Sequence, residues 1–150
     1  MKMERNIVVP ARRAEVWDLL MDLSRVGRAF PGVEGLEALD DDSYQGTMRV
    51  RVGPVSLRIA GTIKVLARDR EDWRASLGLE GGDRRVGGGV RGTLELVLNE
   101  ISANETEVAM SSDVTFVGKL GELGQTVIRR KADSVVREFA SNLAREAGGG

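Results

Sequence analysis

Two residue types are missing from the 150-residue chain altogether: cysteine and histidine. Without Cys there is no disulfide framework, no thiol nucleophile and no thiolate metal site. Without His there is no Ser-His-Asp or Cys-His catalysis and no imidazole-held metal. The usual acid–base group near neutral pH is gone too. Any catalysis falls to carboxylates, Lys, Tyr or backbone groups. A dominant charge is also lacking: 22 basic residues face 23 acidic ones, for a net of −1. That argues against a nucleic-acid partner. No apolar run approaches the ~18 residues of a membrane-spanning helix, and Met1–Asn6 lacks the apolar stretch of a secretory signal. The expectation is a cytoplasmic protein.

What remains is an ordinary globular composition, 41% apolar and 30% charged. Length predicts one domain, burying roughly 68–70% of its unfolded surface. That domain spans residues 1–147, and Gly148, Gly149 and Gly150 read as a disordered tail.

Residues 5–9 read as a short strand stopped by Pro10. Residues 11–21 read as a helix with Val16, Trp17 and Leu20 on one face. Asp22 or Ser24 can cap a second short helix that ends before Pro31-Gly32. Period-2 alternation then predicts strands at 33–39, 46–52, 55–65, 73–79, 90–98 and 108–116, each with one apolar face. The turns between them include Asp40-Asp41-Asp42, Gly53-Pro54 and the Gly-rich stretch 81–89. From Leu120 to about Glu146 the period becomes helical. Leu120, Leu123, Val127, Val135, Phe139 and Leu143 form one stripe, and Pro is absent. Such a helix is about 40 Å long and crosses a whole small domain.

The pattern β-α-α-β6-α predicts an α+β fold in which a curved, seven-stranded antiparallel sheet wraps the long C-terminal helix. The concave face is aliphatic, and small residues (Gly61, Ala75, Gly92, Ser112) interrupt it. Aromatics number only six: Trp17, Phe30, Tyr44, Trp73, Phe116 and Phe139. An apolar cavity between sheet and helix is one reading; a filled core is the other.

Four segments in order carry a resemblance: Val16-Trp17-Asp18-Leu19-Leu20, Phe30-Pro31-Gly32-Val33-Glu34, Val52-Gly53-Pro54-Val55, and Val117-Gly118-Lys119-Leu120-Gly121-Glu122-Leu123-Gly124-Gln125. Over about residues 5–145 the chain resembles the carbon monoxide dehydrogenase G-subunit family, of the START/birch-pollen-allergen, polyketide-cyclase-like superfamily. The resemblance implies the helix-grip fold and a hydrophobic cavity. It further implies a non-catalytic accessory role. Members are linked to molybdenum-dependent carbon monoxide dehydrogenases, and are thought to support attachment to the cytoplasmic membrane or to carry a lipid or quinone. No metal or covalent cofactor is implied; a bound lipid or quinone is. The implied partners are a hydrophobic small molecule, a carbon monoxide dehydrogenase-like enzyme and the inner membrane surface.

The candidate cavity lining is Trp17, Leu20, Phe30, Met48, Val50, Leu57, Ile59, Ile63, Trp73, Leu77, Leu94, Leu96, Met110, Ser112, Phe116, Leu120, Leu123 and Val127. Phe30, Pro31 and Gly32 form a candidate gate, because Pro fixes φ and Gly permits a sharp bend across the mouth. The same residues read equally as a structural turn. Lys119, Gln125, Arg84 and Arg85 are candidate contacts to a polar head group. No catalytic or metal-ligating set is found. The Gly-rich stretch 81–89 lacks the Gly-Lys-Ser/Thr ending and opens no helix, so it is not a P-loop. Arg49, Arg51, Arg58, Lys64, Arg74 and Arg91 alternate away from the apolar face, as a basic band or as an ordinary ion-paired surface. The alternatives to a carrier are a cyclase/dehydrase-type enzyme and a protein-interaction module with a filled core. The enzyme needs an acid–base pair inside, and the inward positions offer only Ser112, with Glu80 or Lys119 at strand ends.

Overall fold

The computed structural model describes residues 1–149. Its elements are β1 (Lys2–Val9), α1 (Arg13–Met21), α2 (Leu23–Ala29), β2 (Val33–Ala38), β3 (Ser43–Val52), β4 (Val55–Asp69), β5 (Arg74–Asp83), β6 (Gly88–Ser102), β7 (Glu105–Gly118), a 3-10 turn (Gly121–Leu123) and α3 (Gln125–Gly149). The seven strands form one antiparallel sheet in the order β1-β7-β6-β5-β4-β3-β2. This is the β-α-α-β6-α helix-grip architecture, with every strand after β2 reached by a hairpin.

Of the two candidate caps, Asp22 is the one that joins the short helices. It ends α1 and caps α2, its carboxylate accepting from the Arg25 N–H at 3.3 Å. Such a cap satisfies one of the orphan donors at a helix start.

Most strands run longer than the sequence pattern predicts, and three further boundaries differ. The expected loop 81–89 is mostly strand: Gly81, Gly82 and Asp83 pair with Val90, Gly89 and Gly88, leaving only Arg84–Gly87 as the turn. Glycine's poor strand propensity is overridden by ladder pairing on both sides. The long helix begins at Gln125 rather than Leu120, because Gly124 has φ +88° and breaks the chain out of helical geometry. Leu120 and Leu123 therefore sit on the connector. At the far end α3 continues through Gly148 to Gly149, two residues into the expected tail; Gly150 lies outside the described residues.

The core lies toward one end, between α1, α2, α3 and strands β1, β5, β6 and β7. Val9, Val16, Leu98, Val108 and Leu143 are fully buried there, with Phe139 and Leu96 beside them. Trp17 and Trp73 meet edge to face at 6.1 Å in the same cluster. A second, smaller cluster of Val52, Leu57 and Leu120 gathers Val50, Val86, Phe116 and Leu123 where the β3–β4, β5–β6 and β7–α3 turns meet. Between the two clusters the concave residues of the central strands are only half-buried. α3 fills one end of the grip, the β7–α3 connector closes the other, and the middle is left open.

Candidate ligand cavity

That middle holds an apolar cavity of about 270 Å³. It is bordered by Phe30, Val33 and Leu36 on one side and by Met48, Ile59, Ile63, Leu79 and Val90 along the strands. Its floor is a row of glycines. Gly46, Gly61 and Gly81 are successive cross-strand partners on β3, β4 and β5, and Gly81 then faces Val90 on β6. Three positions in one row carry no side chain, so the row leaves space where three aliphatic residues would fill it. The rows on either side, Met48 with Ile59 and Ile63 with Leu79, make the walls.

The glycines also set the curvature. A Cβ on Gly61 would lie 2.3 Å from the Glu80 carbonyl oxygen, so only glycine lets β4 and β5 approach this closely. At the edge, Leu36 is wedged between Gly27 of α2 and Gly46 of β3; a Cβ on either glycine would meet its side chain or backbone. Thr47, Thr62 and Glu80 complete the border. Thr62 and Glu80 also border a groove on the opposite, convex face, where strand alternation sends their side chains.

Of the candidate lining residues, Phe30, Met48, Ile59 and Ile63 come together around the cavity. Trp17, Leu20, Trp73, Leu96 and Met110 pack in the main core instead. Val50, Leu57, Phe116, Leu120 and Leu123 join the second cluster, the last two because the helix starts late. Leu77, Leu94 and Ser112 are half-buried in the next row and stay outside this border. Val127 is about one-third exposed and lies beside the Gly53 turn, where a Cβ on Gly53 would meet it. The candidate lining omits Leu79, Val90, Val33 and Leu36. Leu79 and Val90 carry a signal, since they share the parity of Leu77 and Leu94.

The Phe30-Pro31-Gly32 segment is a tight turn closed by the Val33 N–H donating to the Phe30 carbonyl at 3.4 Å. Gly32 has φ +83°, and a Cβ there would lie 2.0 Å from the Arg49 carbonyl oxygen. Pro before a positive-φ Gly is the sequence such a turn demands. The Gly32 carbonyl accepts from the Arg49 N–H at 2.8 Å, fastening the turn to β3. Phe30 reaches from it over the cavity onto Phe139 of α3.

The polar candidates gather at the β5–β6 and β7–α3 turns, outside the cavity border. Asp83 is buried and organises the first turn. Its carboxylate accepts from the Arg58 N–H at 2.8 Å, the Arg85 N–H at 3.0 Å, and Arg85 Nε and NH2 at 3.2 and 3.0 Å. The Arg85 side chain, and next the Arg58 N–H, hold this carboxyl well below the usual range. Arg85 is thus engaged within the fold, while Arg84, Lys119 and Gln125 are exposed. The Lys119 N–H donates to the Gly87 carbonyl at 3.1 Å, joining the two turns.

The family model for the G-subunit of carbon monoxide dehydrogenase (CoxG) matches residues 6–148. The chain belongs to the CoxG family. No curated protein sequence matches it. Among solved structures, a conserved protein from Geobacillus kaustophilus is similar to this CoxG-family chain at 21% identity and a TM-score of 0.89, covering 99% of this chain and 96% of its own. A START superfamily protein from Mycobacterium smegmatis is 11% identical with a TM-score of 0.76, over 99% and 97% of the two chains. The ZhuI aromatase/cyclase from Streptomyces sp. R1128 is 17% identical with a TM-score of 0.67, over 100% and 98%. At these identities the likeness establishes the START-type helix-grip fold. Among the described residues of this CoxG-family chain, no helix is long and apolar enough to cross a membrane.

Proposed function

We propose that this CoxG-family chain is a non-catalytic carrier that holds a compact hydrophobic group, the ring or short apolar part of a lipid or quinone, in its central cavity. The observation that carries the reading is the glycine-floored space itself. Its volume of about 270 Å³ is nearly twice the ~150 Å³ cavity that takes up benzene. A ring with a few further carbons fits; a whole long-chain lipid does not, and its tail would have to leave past Phe30. An aliphatic lining excludes sugars and nucleotides, whose polar groups would go unpaired.

Family membership supports a role beside a molybdenum-hydroxylase-type enzyme, in its membrane association or in exchanging a quinone or lipid with it. In this reading Phe30 with Pro31-Gly32 is the gate. The cyclase reading is less favoured, because the cavity border carries no His, Tyr, Asp or Lys, and alternation turns the side chain of its one acid, Glu80, to the convex face.

The deciding experiment is organic extraction of natively purified protein followed by mass spectrometry. A stoichiometric lipid or quinone is expected. An empty extract, together with no uptake of added menaquinone or fatty acid, would sink the carrier reading.

A further inference from the structure

The convex face carries a second concavity that the carrier reading does not use. It is a groove of about 470 Å³ lined by Arg49, Val50, Arg51, Ser56, Leu57, Arg58 and Arg85. Four arginines from two strands and a turn converge on it. Two of them, Arg49 and Arg58, are direct cross-strand partners in the β3–β4 ladder. Like charges directly opposed in a sheet are destabilising. Here a single atom bridges them: Glu34 Oε1 lies 3.2 Å from Arg49 Nε and 3.4 Å from an Arg58 terminal nitrogen.

The third, Arg51, faces Ser56, and among the described residues no carboxylate lies within ion-pair distance of it. The fourth, Arg85, is held in place by Asp83 through Nε and a terminal nitrogen. Three of these guanidiniums are half or more exposed, so the groove is open to solvent. Four arginines meet two carboxylates, one of them buried and consumed by the turn. The groove is short of about two negative charges. The neighbouring groove on the same face differs, since Lys64 and Arg91 share it with Glu80 and Asp113.

We propose that this groove is a binding site for a phosphate or diphosphate group. Guanidinium forks match phosphate oxygens two at a time. A group carrying about two charges supplies the missing balance and screens Arg49 from Arg58. Ser56 adds a hydroxyl beside Arg51. The site lies on the opposite side of the sheet from the cavity and stands whether or not the cavity holds a ligand. Its chemistry is met equally by a free phosphorylated molecule and by a phospholipid head group.

The test uses the full chain and inorganic pyrophosphate, followed by calorimetry or NMR, with Arg51→Gln, Arg58→Gln and Lys64→Gln variants. Saturable 1:1 binding is expected. It should weaken by about tenfold in each arginine variant, as loss of a charge-assisted contact implies, and stay unchanged in Lys64→Gln. Arg58→Gln relieves the opposed pair, so its melting temperature should not fall. Weak binding in that variant is then not a folding defect. A parallel arm measures co-sedimentation with phosphatidylglycerol and phosphatidylcholine vesicles. Vesicle binding that pyrophosphate displaces and that needs the same arginines identifies the head group as the source. Pyrophosphate binding without vesicle binding identifies a soluble ligand. No binding in either arm, or binding that ignores Arg51→Gln and Arg58→Gln, overturns the proposal.

Discussion

Phe30 and Phe139 lie ring on ring, centroids 4.1 Å apart and planes within 15°. Phe139 is buried in the main core, while Phe30 is half-buried at the cavity border. The stack ties the α2–β2 turn to the middle of α3. It is reinforced nearby by Asn142, whose Nδ2 donates to the Ala29 carbonyl at 2.8 Å, and by Glu146 near Arg25 and Arg28. The wall of the cavity on this side is therefore latched to the helix that the sheet grips.

Removing that latch should cost stability and loosen the cavity together. Phe30→Ala is expected to destabilise by about 2–3 kcal/mol, below the range for a fully buried Phe because one edge is already exposed. That corresponds to a drop in melting temperature of roughly 5–10 °C. Ligand exchange should quicken in the same variant, and Phe30→Leu should recover most of the stability. Unchanged melting would show that the stack contributes nothing.

Filling the cavity should do the opposite. Val90 faces the glycine floor from β6. Val90→Phe adds volume where space exists, so the cost should stay under about 1 kcal/mol. Bound ligand in the extract should fall to background. A stable Val90→Phe protein that still carries its ligand would move the binding site elsewhere.

The floor itself should not tolerate a methyl group. Gly61→Ala puts a Cβ against the Glu80 carbonyl, a backbone atom that cannot turn aside. Strand separation is the remaining response, at a cost of about 2–3 kcal/mol. Chemical denaturation reads this directly. A cost under about 0.5 kcal/mol, the spread of innocuous surface changes, would mean that the strands are not held this close.

How much of this was legible in the sequence follows from where side chains alternate. Strand parity identifies Met48, Ile59 and Ile63, because β3 and β4 run without a bulge through those residues. Gly61 is visible as a gap in an apolar face. Gly81 is not, since it stands at the head of a Gly-rich stretch whose composition reads as loop. What makes it strand is pairing with β4 on one side and β6 on the other, which no local window contains. Leu120 and Leu123 match a helical stripe by spacing, yet spacing is blind to the positive φ of Gly124. The Phe30–Phe139 stack and the shared Glu34 bridge join residues distant in the chain. They follow from register and topology, not from any motif.

A buried hydroxyl offers a further check on the core. Thr106 is fully buried and its Oγ1 donates to the Ala11 carbonyl at 2.8 Å, pinning the segment before α1 to β7. Thr106→Val keeps the shape and strands the carbonyl. A loss of about 1–2 kcal/mol is expected in urea unfolding. No loss would mean that the carbonyl finds another donor.

Asp83 makes the fold sensitive to acid in a defined direction. Its carboxylate is held by Arg85 and the Arg58 N–H in the native state, so its pKa lies below the ordinary 3.8. A depressed pKa means that the folded protein binds the proton less readily than the unfolded chain. The stabilisation is complete above about pH 5, where both states are ionised. It is lost progressively as pH falls through 3.8 toward the lower folded value. Asp83→Asn cannot ionise and gives up part of this network at every pH. Its melting temperature should sit below that of the native protein at about pH 7, and the gap should narrow as pH drops under about 4. The β5–β6 turn packs against the β7–α3 connector through Val86 and Leu120, so a local defect there should spread to the whole unfolding transition. Parallel melting curves with a constant gap from about pH 7 to about pH 3 would show that the Asp83 charge does not stabilise the turn.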